Sequence, residues 1–298
     1  MLDLPSCCAP GVHLSSEYVE TAPGVQLYVA RIRPALESRH PPVVLLPGLA
    51  SIPHNFRGTL LEMTRHTEVL WLETREKSSS RIQDVKDVSI PAMAQDLRVF
   101  VEKAGLPDDG YVLMGYSLSA SVILEASRSL PRRPRLVALA EPNATFDFPP
   151  WALLLARYAV PLYRPLLPFL KWYMRTFVIR VADDREMYAI YCNILDAADP
   201  RKIAAVVRAV KPWSAWAGLD DIDLPVLVLG TSKDRLHRYE DTLRIAASLR
   251  HSTFIDMETN DRTHSGEVVG VVLEASAGPL ARLDPSGRAR VRSPPVWP

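Results

Sequence analysis

The stretch YVLMGYSLSASVILEAS, residues 111–127, passes from a strand into a helix through a serine. YVLMG at 111–115 is a short apolar run, typical of a strand buried on both faces, and residues 118–130 favour a helix. A sharp strand–turn–helix junction exposes the side chain at its tip. The pattern predicts Ser117 as a candidate nucleophile, although the same residues also fit a plain helix N-cap. Ser119, inside the first helical turn, is the weaker candidate.

Similar apolar runs surround this junction and predict further strands. Residues 17–33 form two strands around a Pro-Gly turn, and helices are predicted near 91–104, 239–250 and 266–276. Strands alternating with helices indicate the α/β class, with a mostly parallel central sheet of about eight strands flanked by helices. The remaining predicted strands are VVLLPG (43–48), EVLWLE (68–73), RLVALAEP (135–142), PVLVLG (225–230) and STFIDM (252–257).

The alternation stops between residues 143 and 213, where the sequence is helical, aromatic and interrupted by proline. We interpret this block, which lies between two predicted strands, as a helical insertion over one edge of the sheet. The core then comprises residues 1–142 and 214–276. Residues 277–298 are rich in Pro, Gly, Ser and Arg and are predicted to be a disordered tail.

Polar loops follow several predicted strands, at the sheet edge where ligands bind in parallel α/β folds. Gly48 lets the backbone after 43–46 approach a ligand, and Leu49 would then point its N–H into the site. Asp234 follows the strand at 225–230, and His264 follows the last strand. Along the chain, Ser117, Asp234 and His264 would therefore be the nucleophile, the acid and the base.

Other side chains compete for these two roles. Glu141 ends the strand at 135–140 and is a rival acid. His237 is set aside as the base because it lies close to Asp234 in the sequence. A loop Asp is often solvated and a loop His is often a surface residue, so these alternatives stay open.

Composition excludes several classes of protein. The 298 residues are 48% apolar and carry a formal net charge of +1, which argues against disorder and against nucleic-acid binding. Three Cys, with no C-x-x-C or H-E-x-x-H motif, predict neither a disulfide framework nor a metal. No nucleotide-binding glycine motif occurs, so no cofactor is expected. We see no signal peptide and expect a cytoplasmic protein.

The helical insertion at 143–213 is apolar on one helical stripe. Arg157, Arg164 and three internal prolines exclude a membrane span. The stripe either packs on the body, lines a lipophilic pocket or lies on a membrane interface. A pocket would suit an apolar substrate. Its candidate lining residues are Trp151, Phe169, Trp172, Tyr173 and Phe177.

Together, LLPGLA, GYSLSAS, GTSKD and NDRTH resemble the α/β-hydrolase superfamily. The resemblance implies a triad of Ser117, Asp234 and His264 and an oxyanion hole from the Leu49 and Leu118 amides. It also implies that the insertion at 143–213 is a helical cap placed after the sixth strand. The sequence departs from the usual pattern at Pro47-Gly48, at Ser119 and in ETREKSSSR (73–81), which lacks the usual glycines.

These residues predict a serine hydrolase that cleaves a small, apolar carboxylic ester through an acyl-enzyme, without metal or cofactor. Acyl transfer on the same triad is one alternative, because that chemistry diverges only at deacylation. A non-catalytic ligand-binding protein on the same fold is another.

Overall fold

The computed structural model describes residues 3–83, 87–148, 160–178, 185–233, 237–278 and 290–292. Its strands are β1 (His13–Ala22), β2 (Val25–Arg33), β3 (Val43–Leu46), β4 (Val69–Leu72), β5 (Arg81–Ile82), β6 (Val112–Tyr116), β7 (Leu136–Ala140), β8 (Val226–Gly230), β9 (Ser252–Asp256) and β10 (Arg290–Arg292). Its helices are α1 (Arg57–His66), α2 (Ile90–Lys103), α3 (Leu118–Ser127), α4 (Tyr163–Tyr173), α5 (Arg185–Ala197), α6 (Pro200–Val210), α7 (Tyr239–Ser248), α8 (Asn260–Thr263) and α9 (Gly266–Ala277). Shorter helical turns lie at Pro5–Cys7, Pro53–Phe56, Val160–Leu162 and Met174–Val178.

All the strands join one sheet, in the order β1-β2-β4-β3-β6-β7-β8-β9-β10, with β5 beside β2. β2 pairs antiparallel with β1, β4 and β5, and the other neighbours are parallel. The predicted fold class is confirmed. The described residues hold more strands than the eight predicted because the short β5 and β10 join the sheet.

The central strands β3, β4, β6, β7 and β8 are buried along their whole length. Their alternate side chains enter opposite core layers. Val44 and Leu46 join the layer under α2 and α3, whereas Val43 and Leu45 join the layer that contains α1 and α9. The continuous apolar runs therefore reflect helices on both faces of the sheet.

The strand register brings the candidate site together at one edge. Tyr116 pairs with Ala140, and Ala140 pairs with Leu229. Beyond these pairs, the Ser117 amide donates to the Ala140 carbonyl (2.9 Å) and the Glu141 amide to the Leu229 carbonyl (2.9 Å). Ser117 and Glu141 thus leave neighbouring strands at the same level.

Helices α4, α5 and α6 lie between β7 and β8, within the stretch predicted to be a cap. α6 packs on the body, since Val206 and Val210 are fully buried in the layer shared with α2 and α3. β10 lies inside the predicted tail and pairs parallel with β9. The division into core, cap and tail stays a prediction. Across the described ranges, no helix combines the length and apolarity that a membrane span requires.

Candidate active site

Ser117 lies in a strained turn between β6 and α3. Its φ is 50° and its ψ is −116°, a conformation that costs a non-glycine residue about 1–3 kcal/mol. A Cβ added at Gly115 would lie 2.5 Å from Ile123 Cδ1 and 3.0 Å from the Ser119 backbone, so any larger residue here would have to displace Ile123 and the first turn of α3. The buried Ser119 hydroxyl donates to the Pro47 carbonyl at 2.6 Å. Ser119 therefore joins α3 to the end of β3, while Ser117 occupies the tip.

The imidazole beside Ser117 belongs to His237, which lies between β8 and α7. His237 Nε2 is 3.0 Å from Ser117 Oγ, and His237 Nδ1 is 3.5 Å from Glu141 Oε2. The His237 and Glu141 side chains are only 11% and 3% exposed. A hydroxyl, an imidazole and a carboxylate in series can transfer the serine proton and stabilise the imidazolium that forms.

Two neighbouring loops hold the Glu141 carboxylate. Thr231 Oγ1 donates to Oε1 at 2.6 Å, and Asn260 Nδ2 donates to Oε2 at 2.8 Å. Glu141 also has a positive φ of 52°. The two hydrogen bonds orient the carboxylate, whose Oε2 lies 3.5 Å from His237 Nδ1.

The structure leaves open the roles of the predicted acid, Asp234, and of the predicted base, His264. Asp234 lies outside the described residues. His264 directly follows α8, with Nδ1 3.0 Å from the Asn260 carbonyl oxygen. Its ring packs against Phe56 and Tyr116, at centroid distances of 4.8 and 4.9 Å. The roles of Asp234 and His264 stay predictions.

Tyr116 supports the loop that contains His264. Burial raises the pKa of its phenol, which therefore remains protonated and donates to the Thr263 carbonyl at 2.8 Å. This hydrogen bond ties the end of β6 to α8. The loop after β9 is thus anchored beside the nucleophile turn.

The predicted oxyanion loop passes close to the nucleophile. A Cβ added at Gly48 would lie 3.4 Å from the Tyr116 carbonyl oxygen and 3.6 Å from Ser117 Cβ. Leu49 follows Gly48, and Ala50 has a positive φ of 52°. Leu118 is the first residue of α3, where helix geometry leaves amide groups without an intrahelical acceptor.

A pocket of about 180 Å³ adjoins the site, lined by residues 142–148, Arg238 and Asp241. Asn143 connects it to the nucleophile, since Asn143 Nδ2 donates to Ser117 Oγ at 3.2 Å. Arg238 forms an ion pair with Asp147 at 3.2 Å. Asn143 thus links the pocket lining to the Ser117 hydroxyl, and the lining includes Phe146 and Phe148 beside the charged groups.

Four of the predicted cap aromatics are described, and none of them lines this pocket: Phe169, Trp172, Tyr173 and Phe177. Phe169, Trp172 and Phe177 are 49%, 51% and 64% exposed. Trp172 and Tyr173 pack against Phe177, with ring centroids 5.7 and 5.2 Å away. Trp151 lies outside the described residues. Their role in substrate binding stays a prediction.

Sequence reasoning missed His237 as a partner of Ser117, and it also missed Asn143, Thr231 and Asn260. The available signal was position, because Asn143 follows β7 and Thr231 directly follows β8. Within the described part of the chain, no group of three or more His, Cys, Asp or Glu side chains is arranged to hold a metal ion.

A family model described as the alpha/beta hydrolase family matches residues 22–269. This chain belongs to that family. Similar solved structures include a thermophilic esterase from Thermogutta terrifontis, 20% identical with a TM-score of 0.70, in an alignment that covers 89% of this chain and 100% of that chain. The enol-lactonase from Burkholderia xenovorans LB400 is 15% identical with a TM-score of 0.70, covering 88% and 100%. At these identities the likeness shows the fold.

A curated relative is the polyketide synthase ThaQ from Burkholderia thailandensis. This chain is 25% identical to it over 288 residues. That alignment covers 95% of this chain but spans only 12% of the length of ThaQ.

Proposed function

We propose that this alpha/beta hydrolase is a serine hydrolase that cleaves small carboxylic esters, with Ser117 as the nucleophile. The 3.0 Å contact between Ser117 Oγ and His237 Nε2, at a strained turn, carries this proposal. An esterase and an enol-lactonase among the similar structures support an open-chain or cyclic ester as the substrate.

In the proposed mechanism, Ser117 Oγ attacks the ester carbonyl and its proton passes to His237 Nε2. Glu141 stabilises the resulting imidazolium. The Leu49 and Leu118 amides stabilise the oxyanion. The alcohol leaves with the proton from His237, and water then hydrolyses the acyl-enzyme with His237 as the base.

Phe146 and Phe148 support an apolar substrate group beside Ser117, while the Arg238–Asp147 ion pair marks a polar part of the same pocket. The cap aromatics Phe169, Trp172 and Phe177 would extend the apolar surface for a longer chain, or would contact a lipid interface. Asp234 and His264 remain the alternative acid and base.

A fluorophosphonate probe and a panel of p-nitrophenyl esters of increasing chain length test this proposal. We expect wild type to be labelled at Ser117 and to hydrolyse short esters, whereas Ser117→Ala loses both activities. The matched control is Ser119→Ala, which removes the neighbouring hydroxyl and should still be labelled. Full ester hydrolysis by Ser117→Ala would refute the mechanism.

A further inference from the structure

A buried lysine contacts the predicted oxyanion loop. Lys77 lies in the segment between β4 and β5, where the sequence lacks the glycines usual in the family. Its side chain is only 2% exposed, and the neighbouring Glu76 side chain is fully buried. Charged side chains are almost never buried this deeply unless they are paired.

The Lys77 ammonium donates to two carbonyls of the oxyanion loop. Nζ contacts the carbonyl oxygen of Gly48 and, at 3.2 Å, that of Ser51. The Gly48 carbonyl also accepts from the Ser51 amide at 3.1 Å. One side chain therefore holds both ends of the four-residue turn 48–51, which contains the strained Ala50.

The Gly48 carbonyl and the Leu49 amide belong to the same peptide group. That group is planar and trans, so its C=O and N–H bonds point in opposite directions. Fixing the carbonyl toward Lys77 fixes the direction of the Leu49 N–H. We propose that Lys77 is a positioning residue that holds the Leu49 N–H in the oxyanion hole, an inference that rests on the proposed ester hydrolysis.

Carboxylates and a second lysine surround Lys77. Glu76 Oε1 is 3.9 Å from Nζ, and Glu73 contributes a further negative charge. Burial lowers the pKa of Lys77, while Glu76 and Glu73 oppose that shift. Lys202 of α6, with Asp199 nearby, donates to the Lys77 carbonyl and to the Ser80 carbonyl (2.8 Å). The segment is therefore fixed from several sides.

Arg75 anchors the same segment to α2. Its guanidinium donates to both carboxylate oxygens of Asp96, each at 2.6 Å, and Asp96 also accepts from Thr21 at 2.6 Å. Because the backbone around Lys77 is held independently, loss of the ammonium should release the oxyanion loop without unfolding the segment.

The test compares Lys77→Met with Lys202→Met, which removes a buried ammonium from the same cluster but not one that donates to the turn 48–51. Loss of one oxyanion donor lowers kcat by about 10²–10³-fold. We expect Lys77→Met to lose kcat by that factor with KM within about threefold of wild type. Affinity for a trifluoromethyl ketone, which forms an oxyanion adduct with serine, should fall in parallel. Lys202→Met should keep kcat within about threefold even if its Tm falls.

A folded Lys77→Met with wild-type kcat, or with unchanged ketone affinity, would overturn the proposal. If Lys77→Met does not fold, Lys77→Gln keeps a polar donor that is too short to reach both carbonyls. It should lose kcat by at least about tenfold, and wild-type kcat would again overturn the proposal. Ser117→Ala separates the two ideas. If it is as active as wild type, the proposed hydrolysis fails, whereas if it is inactive and Lys77→Met is normal, only the role of Lys77 fails.

Discussion

Glu141→Gln removes the negative charge beside His237 while keeping the local hydrogen bonds. The Thr231 hydroxyl can accept as well as donate, so the new amide NH₂ can face Thr231 while the amide oxygen still accepts from Asn260. What is lost is the attraction between the carboxylate and the imidazolium. At the observed 3.5 Å, this attraction amounts to about 5 kcal/mol with an effective dielectric constant of about 20.

The loss corresponds to a fall in kcat of about 10³–10⁴-fold, because the imidazolium forms only as the reaction proceeds. Steady-state hydrolysis of p-nitrophenyl acetate measures kcat, and thermal unfolding confirms that the variant is folded. Asp234→Asn is the matched control and should keep kcat near that of wild type. A folded Glu141→Gln within about threefold of wild-type kcat, together with an inactive Asp234→Asn, would refute Glu141 as the acid and identify Asp234 instead.

Three further predictions concern the scaffold. Asp96→Ala leaves the buried Arg75 without its carboxylate and should lower the free energy of unfolding by about 3–5 kcal/mol in urea denaturation. Asp108→Ala, at an exposed pair with Arg132, should leave the urea midpoint close to that of wild type, and equal losses in the two variants would contradict the difference in burial. Gly115→Ala should destabilise the protein by about 1–3 kcal/mol through overpacking against Ile123, and an unchanged urea midpoint would show that α3 can move away freely. Burial raises the pKa of Cys8 from 9.0 to about 11, so at pH 9 iodoacetamide should alkylate Cys8 slowly in the folded chain and quickly in urea. Between pH 9.0 and about pH 11 the Cys8 thiol is deprotonated in the unfolded chain but still protonated in the folded one, so the free energy of unfolding falls as the pH rises. Rapid alkylation of the native Cys8 thiol at pH 9 would contradict the raised pKa.

The central sheet was predictable because its strands are continuous apolar runs. β3, β6 and β8 are buried on both faces, and the helices that cover them have their own apolar spacing. The turn at Ser117 was also predictable, because one apolar run ends at Gly115-Tyr116 and a helical pattern begins directly after Ser117.

The histidine that contacts Ser117 was not predictable from sequence order. His237 was set aside because it lies close to Asp234, yet its ring contacts Ser117, 120 residues away in the chain. Glu141 was recognised as a rival acid. The contacts that orient it come from Thr231 and Asn260, 90 and 119 residues away, and no local pattern records such distant contacts.

The role proposed for Lys77 also depends on a contact between distant residues, which no local sequence pattern records. The sequence showed only that the segment 73–81 lacks the expected glycines. Its significance depends on the contact between Lys77 and the Gly48 carbonyl, 29 residues earlier, and on the planarity of the peptide group that Gly48 shares with Leu49.

The central claim is that His237 activates Ser117. The rate at which a fluorophosphonate labels Ser117, measured for His237→Gln and His264→Gln beside wild type, tests it directly. We predict that His237→Gln slows labelling by about 10²–10⁴-fold, while His264→Gln, which alters packing against Phe56 and Tyr116, stays within about tenfold of wild type. Rapid labelling of a folded His237→Gln, with labelling lost in a folded His264→Gln, would contradict the claim.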